Sequence, residues 1–333
     1  MTMSNLESAP ALVECGESAP GEPELLVGRE VVLGGTRGLA VTRTLPHRDR
    51  RMVGAWCFVD RYGPEDITGQ AGMRVPPHPH TGLQTVSWLL AGDILHRDSL
   101  GNQQLVEPGQ LNLMTAGRGI AHAEESPHDH RPVLDGVQLW VALPAVDRAV
   151  APHFEHHADL PTLERPGVRV TVIMGELDDA VSPARTYTPL VGAEVSLDGE
   201  LTLPLRPDFE YAVLVLSGAV SVDRAASVDR AALTAGPLLY LGTGRTGLPL
   251  RGVGKLLLLG GEPFAEQIVM WWNFVGTDHE DIVAARADWA VGTARADWAA
   301  GDARFGPVHG YDGEPLVAPV LPATKLKPRG RHR

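Results

Sequence analysis

An all-β protein, built as two successive domains and closed by a helix, is what the amino-acid sequence predicts. Three observations carry that reading. The 333 residues include 37 glycines and 27 prolines, which cut the apolar runs into strand-sized pieces. The strand-like patterning of the first half returns in the second at a nearly constant offset. Four potential metal ligands, His78, His80, His122 and Glu124, fall as two pairs with one residue between partners. In an extended strand that spacing aims both side chains of a pair at the same face.

Taken in order, residues 1–28 are rich in Ser, Pro, Glu and Gly and are expected to form a mobile tail. The first domain is expected over residues 29–150. VVLGG, LAVTRTL and WCFVDRYG are short strand candidates, and Leu39, Val41, Arg43 and Leu45 keep a strict alternation. A Gly/Pro-rich loop over residues 61–77 leads into His78. TVSWLLAGDILHRD, LVEPGQLNLMTAG and GVQLWVALP read as buried strands, with turns at Ala91-Gly92-Asp93, at Pro108-Gly109 and over residues 127–132. Residues 151–167 are polar and flanked by proline, as expected of a linker.

The second domain, residues 168–276, resumes the pattern with VRVTVIMGEL, AEVSLDGELTLPL, YAVLVLSGAVSV, GPLLYLG and KLLLLGGEPF. Residues 277–305 are the helical segment, with Thr277 or Asp278 as its cap. Trp289 and Trp298 stand nine residues apart, which at ~100° per residue puts them on opposite faces of one helix. Gly292 is therefore expected to end a first helical piece. Residues 306–333 form a tail ending in TKLKPRGRHR, a solvated basic end. Two short tandem repeats, VDRAAS/VDRAAL and ARADWAVGT/ARADWAAGD, read as surface duplications.

Composition narrows the function classes. Hydrophobic residues are 44% and charged residues 21%, as in a soluble globular protein. The net charge of −12 argues against nucleic acid as a direct partner. Two cysteines, Cys15 and Cys57, cannot build a disulfide framework, and Cys57 reads as a small buried hydrophobe. No signal peptide and no apolar run of about 18 residues is seen, so a cytoplasmic protein that avoids membranes is expected.

The internal offset bears on the metal ligands. LLAGDI (residues 89–94) resembles VLSGAV (residues 215–220) at an offset of 126, and PGQLNLM resembles AGPLLYL at 127. Carried across, His78 and His80 fall on Pro204 and Arg206, and His122 and Glu124 fall on Pro249 and Arg251. None of those four is a usual ligand, so one metal per chain is expected, in the first domain.

Three imidazoles and a carboxylate form a mixed nitrogen and oxygen set. It suits Fe, Ni, Cu, Mn or Zn better than a thiolate-seeking ion. Both pairs adjoin strand-like runs, and Gly117-Arg118-Gly119 allows a tight approach to the second. His128 and His130 repeat the spacing but lie in a Pro- and Asp-rich loop, while His153, His156 and His157 lie in the expected linker. Both clusters read as solvated side chains. His96 is read either as a donor to a metal ligand or as an exposed edge residue. No nucleophile triad, phosphate loop or CxxC stands in its expected context.

The strings PPHPHTGLQTVSWLLAGDILHRDSLG, PGQLNLMTAGRGIAHAEES and GVQLWVALP closely resemble the pirin family of bicupins, over roughly residues 29–276. The resemblance implies two tandem cupin (jelly-roll) β-barrels with a C-terminal helix. It implies one metal in the N-terminal barrel, normally iron(II), held by His78, His80, His122 and Glu124. Nickel, copper, manganese, cobalt and zinc remain compatible with those donors. Many cupins carry a Glu four residues after the second His; here that position is Gln84, so Glu124 is the implied carboxylate ligand and Gln84 is expected to alter hydrogen bonding around the ligands.

The activity implied is that of a quercetin 2,3-dioxygenase, in which O2 opens the central ring of a flavonol and releases CO. Glu124 would be its catalytic base, and Leu83, Val86, Leu113 and Met114 are expected to line the pocket. The alternative is a non-enzymatic, iron-dependent regulatory protein that binds a transcription factor or a metabolic enzyme. A purely structural metal is the third reading. A small aromatic substrate and O2 are the expected partners, with a regulatory protein under the alternative, and the chain is expected to be a monomer.

Overall fold

The computed structural model describes residues 23–32, 39–222, 232–293 and 304–331. The first half holds β1 (Glu24–Leu26), β2 (Arg29–Val32), β3 (Ala40–Leu45), β4 (Trp56–Asp66), β5 (Arg74–His80), β6 (Leu83–Ala91), β7 (Ile94–Asp98), β8 (Gln103–Val106), β9 (Leu111–Thr115), β10 (Ile120–Glu125), β11 (Val133–Ala142) and β12 (His153–His157). The second half holds β13 (Thr162–Arg165), β14 (Val168–Leu177), β15 (Ala180–Val181), β16 (Leu190–Pro204), β17 (Glu210–Val222), β18 (Ala232–Thr234), β19 (Leu238–Gly242), β20 (Gly247–Gly261), β21 (Val269–Trp271) and β22 (Phe274–Gly276), followed by α1 (His279–Thr293).

In the first half a seven-stranded sheet, β12-β9-β6-β11-β4-β3-β2, faces a four-stranded sheet, β5-β10-β7-β8. Val41, Tyr62, Leu89 and Leu134 from the large sheet meet Val75, Ile94 and Val106 from the small one. That interior closes the sandwich into a barrel. The second half forms one nine-stranded sheet, β1-β19-β17-β20-β16-β14-β13 with β15 and β18 attached at its margins, around its own apolar core.

The two halves share a pairing plan. In the first, β6 pairs with β11 and β9, while β7 pairs with β10 and β8. In the second, the single long β17 pairs with β20, β19 and β18. Each long strand of the second barrel does the work of two short ones in the first. The point of fusion is visible at the repeat. Gly92 (φ +87°) turns the chain between β6 and β7, and Gly218 (φ +73°), at the 126-residue offset, follows directly on a bulge inside β17. Both need the positive φ that glycine adopts without a Cβ penalty.

Between the barrels lies a third apolar core that draws on both. It contains Leu26, Trp56, Leu83, Val86, Leu113 and Met114 together with Ile173, Met174, Leu190 and Leu214. Trp56 and Trp88 cross the seam with their indole nitrogens. Trp56 Nε1 donates to the Val191 and Gly260 carbonyls at 3.1 Å, and Trp88 Nε1 donates to Glu194 Oε2 at 2.9 Å. A buried indole N–H needs such a partner, which ties the registry of one barrel to the other.

The connecting segments depart from expectation. Glu24–Leu26, placed in the tail by its Pro/Glu-rich surroundings, pairs as β1 with β19 of the second barrel and buries Leu26. The expected linker is largely strand: β12 closes the first sheet against β9, and β13 opens the second against β14. Edge strands carry polar side chains on their open face, so composition alone makes them look like loop. The described part of the helix runs through Gly292 to Thr293, so Gly292 does not end it, while residues 304–305 at the close of the expected segment are not helical. Asp278 accepts the Asp281 N–H at 3.0 Å and is its cap. Trp298, and the greater part of each tandem repeat's second copy, lie outside the described residues.

The expected C-terminal tail is instead a strap. Leu316 N–H donates to the Pro77 carbonyl at 2.8 Å, Arg329 pairs with Ile268, and the Arg331 carbonyl accepts from Arg51 and Met52. Phe305 and Ala318 join Trp271, Trp272, Phe274, Ile282 and Trp289 in a cluster under the helix. No helix among the described residues is long and apolar enough to cross a membrane.

A candidate metal centre in the first barrel

The HPH sequence on β5 turns His78 and His80 to one face and Pro79 to the other. β10 runs antiparallel beside it, with His122 opposite His78 and Ile120 opposite His80. The register slips before Glu124, which falls opposite Val75. On its other side β10 pairs with β7, placing Glu124 opposite His96 and His122 opposite Asp98. Two neighbouring strands, β5 and β10, thus bring His78, His80, His122 and Glu124 together, β7 adds His96 beside them, and all five are buried.

The ligand atoms of His78, His80 and His122 lie within 4.8 Å of one another. Those of His96, His122 and Glu124 form a second such group, so His122 is common to both. Ring centroids of the first group are 4.4–5.0 Å apart.

The hydrogen bonds set the tautomers. His78 Nδ1 lies 2.8 Å from the Pro76 carbonyl, and His80 Nδ1 lies 3.1 Å from the Asn273 carbonyl. A carbonyl only accepts, so each Nδ1 carries the proton and each Nε2 keeps its lone pair. His80 Nε2 and His122 Nε2 are buried with no hydrogen-bond partner. Burial holds the imidazoles neutral: His78 is lowered to about 4, and His80 and His122 fall well below the usual histidine range. Burial also raises the Glu124 carboxyl. Ser87 Oγ lies 2.9 Å from Glu124 Oε1 and 3.0 Å from Gln138 Oε1. Bare, buried imidazole nitrogens beside a carboxylate fit a borderline divalent cation, since an unmet acceptor in the interior is otherwise costly. Among the described residues no such group assembles in the second barrel.

The four side chains open onto a cavity of about 420 Å³, measured out to solvent. Its other walls are Phe58, Asp60, Tyr62, Met73, Val75, Gln138 and Trp140. Phe58 and Trp140 stack at 3.9 Å with an 11° interplanar angle, and Trp140 meets His80 edge-on at 5.0 Å. Arg43 lies over the far side of Phe58 at 4.2 Å and forms a bidentate pair with Asp60, at 2.7 and 2.5 Å. The Tyr62 hydroxyl is buried without a partner, and burial beside Glu124 pushes its ionisation up.

Several expectations are corrected here. Leu83, Val86, Leu113 and Met114 do not line this cavity but pack between the barrels. Both faces of those strands are buried, so alternation could not tell pocket from seam. Gln84 does not touch the ligands: its Nε2 donates to Thr115 Oγ1 at 2.9 Å and to the Arg185 carbonyl at 3.0 Å. His96 is buried beside the ligands and is no edge residue. His128 is exposed, and His130 is held by the Arg131 and Gln70 carbonyls. His153 and His157 flank Glu155 at 3.2 and 3.1 Å, and His156 bonds Asn112 at 2.7 Å. The cavity walls were missed, although Phe58, Asp60 and Tyr62 stand at strand spacing. So was Asn273, whose carbonyl reaches His80 across 193 residues of sequence.

Comparison with known proteins gives a consistent picture. The family profile described as Pirin matches residues 38–141, and that of the pirin C-terminal cupin domain matches residues 190–295. A Pseudomonas aeruginosa protein named "Putative quercetin 2,3-dioxygenase" is 44% identical over 313 residues, covering 93% of this chain and 94% of its own. A pirin-like protein of Caulobacter vibrioides is 36% identical over 265 residues, covering 76% of this chain and 88% of its own. The crystal structure of a quercetin 2,3-dioxygenase from Acinetobacter baumannii superposes with a TM-score of 0.83 at 39% identity, covering 91% of this chain and 97% of that one.

Proposed function

The chain belongs to the pirin family, as two cupin barrels in tandem, and from that premise we propose that it is a metal-dependent dioxygenase opening a flavonol ring with O2. The observation that carries the proposal is the set of neutral imidazoles, with Nε2 of His80 and His122 buried and unpaired, facing an aromatic-walled cavity. His78, His80 and His122 would hold one divalent ion through Nε2, with Glu124 as the carboxylate ligand. When bound, the ion, iron(II) first among the compatible metals, supplies an electrophilic, redox-capable centre for a substrate oxygen and O2.

The chain's own residues then have definite tasks. Glu124, a carboxylate on the cavity wall beside the three imidazoles, accepts the proton of the flavonol hydroxyl. Ser87 steadies the carboxylate through its hydroxyl. The stacked Phe58–Trp140 pair offers a flat wall to an aromatic ring. Tyr62, with its hydroxyl unpaired on the same cavity, is placed to donate to a substrate oxygen. Both atoms of O2 stay in the opened product and one ring carbon leaves as CO, so no external reductant is required.

The test is aerobic mixing of quercetin with protein loaded in turn with iron(II), nickel(II), manganese(II), cobalt(II) and copper(II). Loss of flavonol absorbance with release of CO is expected, and His78→Ala should abolish it. Quercetin left intact with every metal would overturn the dioxygenase reading.

A further inference from the structure

His96 is the one buried histidine beside this centre that the proposed chemistry leaves without a task, and its surroundings are unusually specific. Its ring stacks on Phe154 of β12 at 4.6 Å with a 16° interplanar angle, which fixes the plane. Its Nε2 lies 3.4 Å from Asp98 Oδ2, and its Nδ1 lies 3.5 Å from His122 Nδ1, the long end of the hydrogen-bond range. Asp98 is itself held from the other side. The Leu100 and Asn102 backbone N–H groups donate to its Oδ1 at 2.9 and 3.0 Å, and the Asn102 amide reaches both oxygens at 3.1 and 2.8 Å. A carboxylate gathering that many donors is an acceptor only.

The proton positions follow in sequence. Asp98 can only accept, so His96 Nε2 carries the hydrogen. In the neutral ring Nδ1 is then a bare acceptor. His122 Nδ1 must supply the hydrogen between the two rings, which leaves His122 Nε2 bare. That nitrogen is the buried atom found without a partner.

We infer that His96, oriented by Asp98, is a positioning residue that locks His122 in its Nδ1–H tautomer and so keeps His122 Nε2 free for the metal. His78 and His80 are set the same way by backbone carbonyls. His122 Nδ1 is set by a side chain instead, so it is the ligand whose tautomer-setting partner a side-chain substitution removes directly. The inference rests on the metal-centre half of the proposed function and not on its substrate.

The experiment reads the tautomer directly. Metal-free protein labelled with ¹⁵N in histidine is studied by two-bond ¹⁵N–¹H correlation at pH 8, with His122 assigned through His122→Gln. Wild type should show a protonated Nδ1 and a bare Nε2 for His122. His96→Leu keeps bulk against Phe154 but offers no acceptor. It should move His122 toward Nε2–H and weaken cobalt(II) binding by roughly 10- to 100-fold, the range for partners that orient metal ligands. His96→Asn, whose side-chain oxygen can take the Nδ1 place, should restore the tautomer and most of the affinity.

Asp98→Asn serves as the second variant if His96→Leu does not fold. Its amide can donate to His96 Nε2, reverse the chain of hydrogens and impose the wrong tautomer on His122. An unchanged Nδ1–H signal in His96→Leu, or in Asp98→Asn where that is the variant that folds, would overturn the inference. So would a fourth exchangeable imidazole proton shifted by bound cobalt(II) and lost in His96→Leu, since His96 would then be a ligand. Absence of turnover leaves these readouts untouched. Failure of wild type to bind any divalent ion, with the tautomer as stated, would count against the metal centre alone.

Discussion

Each imidazole of the centre holds a low proton affinity because its ring is taken out of water, and this gives the metal-free protein a predictable acid response. His78 titrates at about 4 when folded and near its ordinary 6.5 when unfolded. Between those values the unfolded chain binds the extra proton, so stability must fall as pH drops through that window. The size is on the order of 3 kcal/mol for His78 alone. His80 and His122 act in the same direction, while Glu124, raised by burial, opposes them as a single carboxyl. Urea unfolding of metal-free protein at pH 7, 6, 5 and 4.5 is expected to show a declining free energy. A flat profile would mean that the imidazoles are solvated and not buried.

At the scale of elements, the centre depends on a close approach between the β5–β6 turn and the β22 segment. Val275 N–H donates to the Thr81 carbonyl at 2.9 Å, which brings the Asn273 carbonyl to His80. Gly82 permits this: it has φ +70°, and a Cβ there would lie 2.2 Å from the Val275 carbonyl oxygen. Gly82→Ala should therefore cost at least about 2 kcal/mol through backbone strain and clash. It should also weaken metal binding by pushing the β22 segment off His80. Thermal unfolding and a metal titration check the two effects, and a variant with unchanged affinity would show that the turn does not set the His80 tautomer. The strands themselves were legible because β6, β9 and β11 are apolar runs bounded by glycine and proline. β1, β12 and β13 were not, because edge strands with a wet face look like loop.

Over the whole molecule, the strap formed by residues 304–331 links what the barrels do separately. It touches Pro77, one residue before His78, through Leu316, and it reaches the second barrel where Arg331 approaches Glu210 at 3.4 Å. Glu210 in turn accepts the Gly54 N–H of the first barrel at 2.6 Å. A chain ended after residue 303 should melt at a lower temperature and bind divalent metal more weakly, as calorimetry and a metal titration would record. Metal affinity equal to that of the full chain would show the strap to be a passenger. Among the described residues the second barrel supplies no ligand side chain; it supplies the seam on which the first barrel's large sheet packs, and the Asn273 carbonyl that follows it in sequence.

The sequence by itself determined the strand character, the internal duplication and the loss of ligand types from the second copy. It also determined the pairing of His78 with His80 and of His122 with Glu124, because alternation along a strand is local and needs no partner. Only the tertiary structure decided which buried face is cavity and which is seam. Where both faces of a strand are covered, as at Leu83 and Val86, alternation carries no sign that tells one from the other. It alone also placed His96 between Asp98 and His122, since a hydrogen-bonded chain across two neighbouring strands depends on register, and register is set by packing and turns.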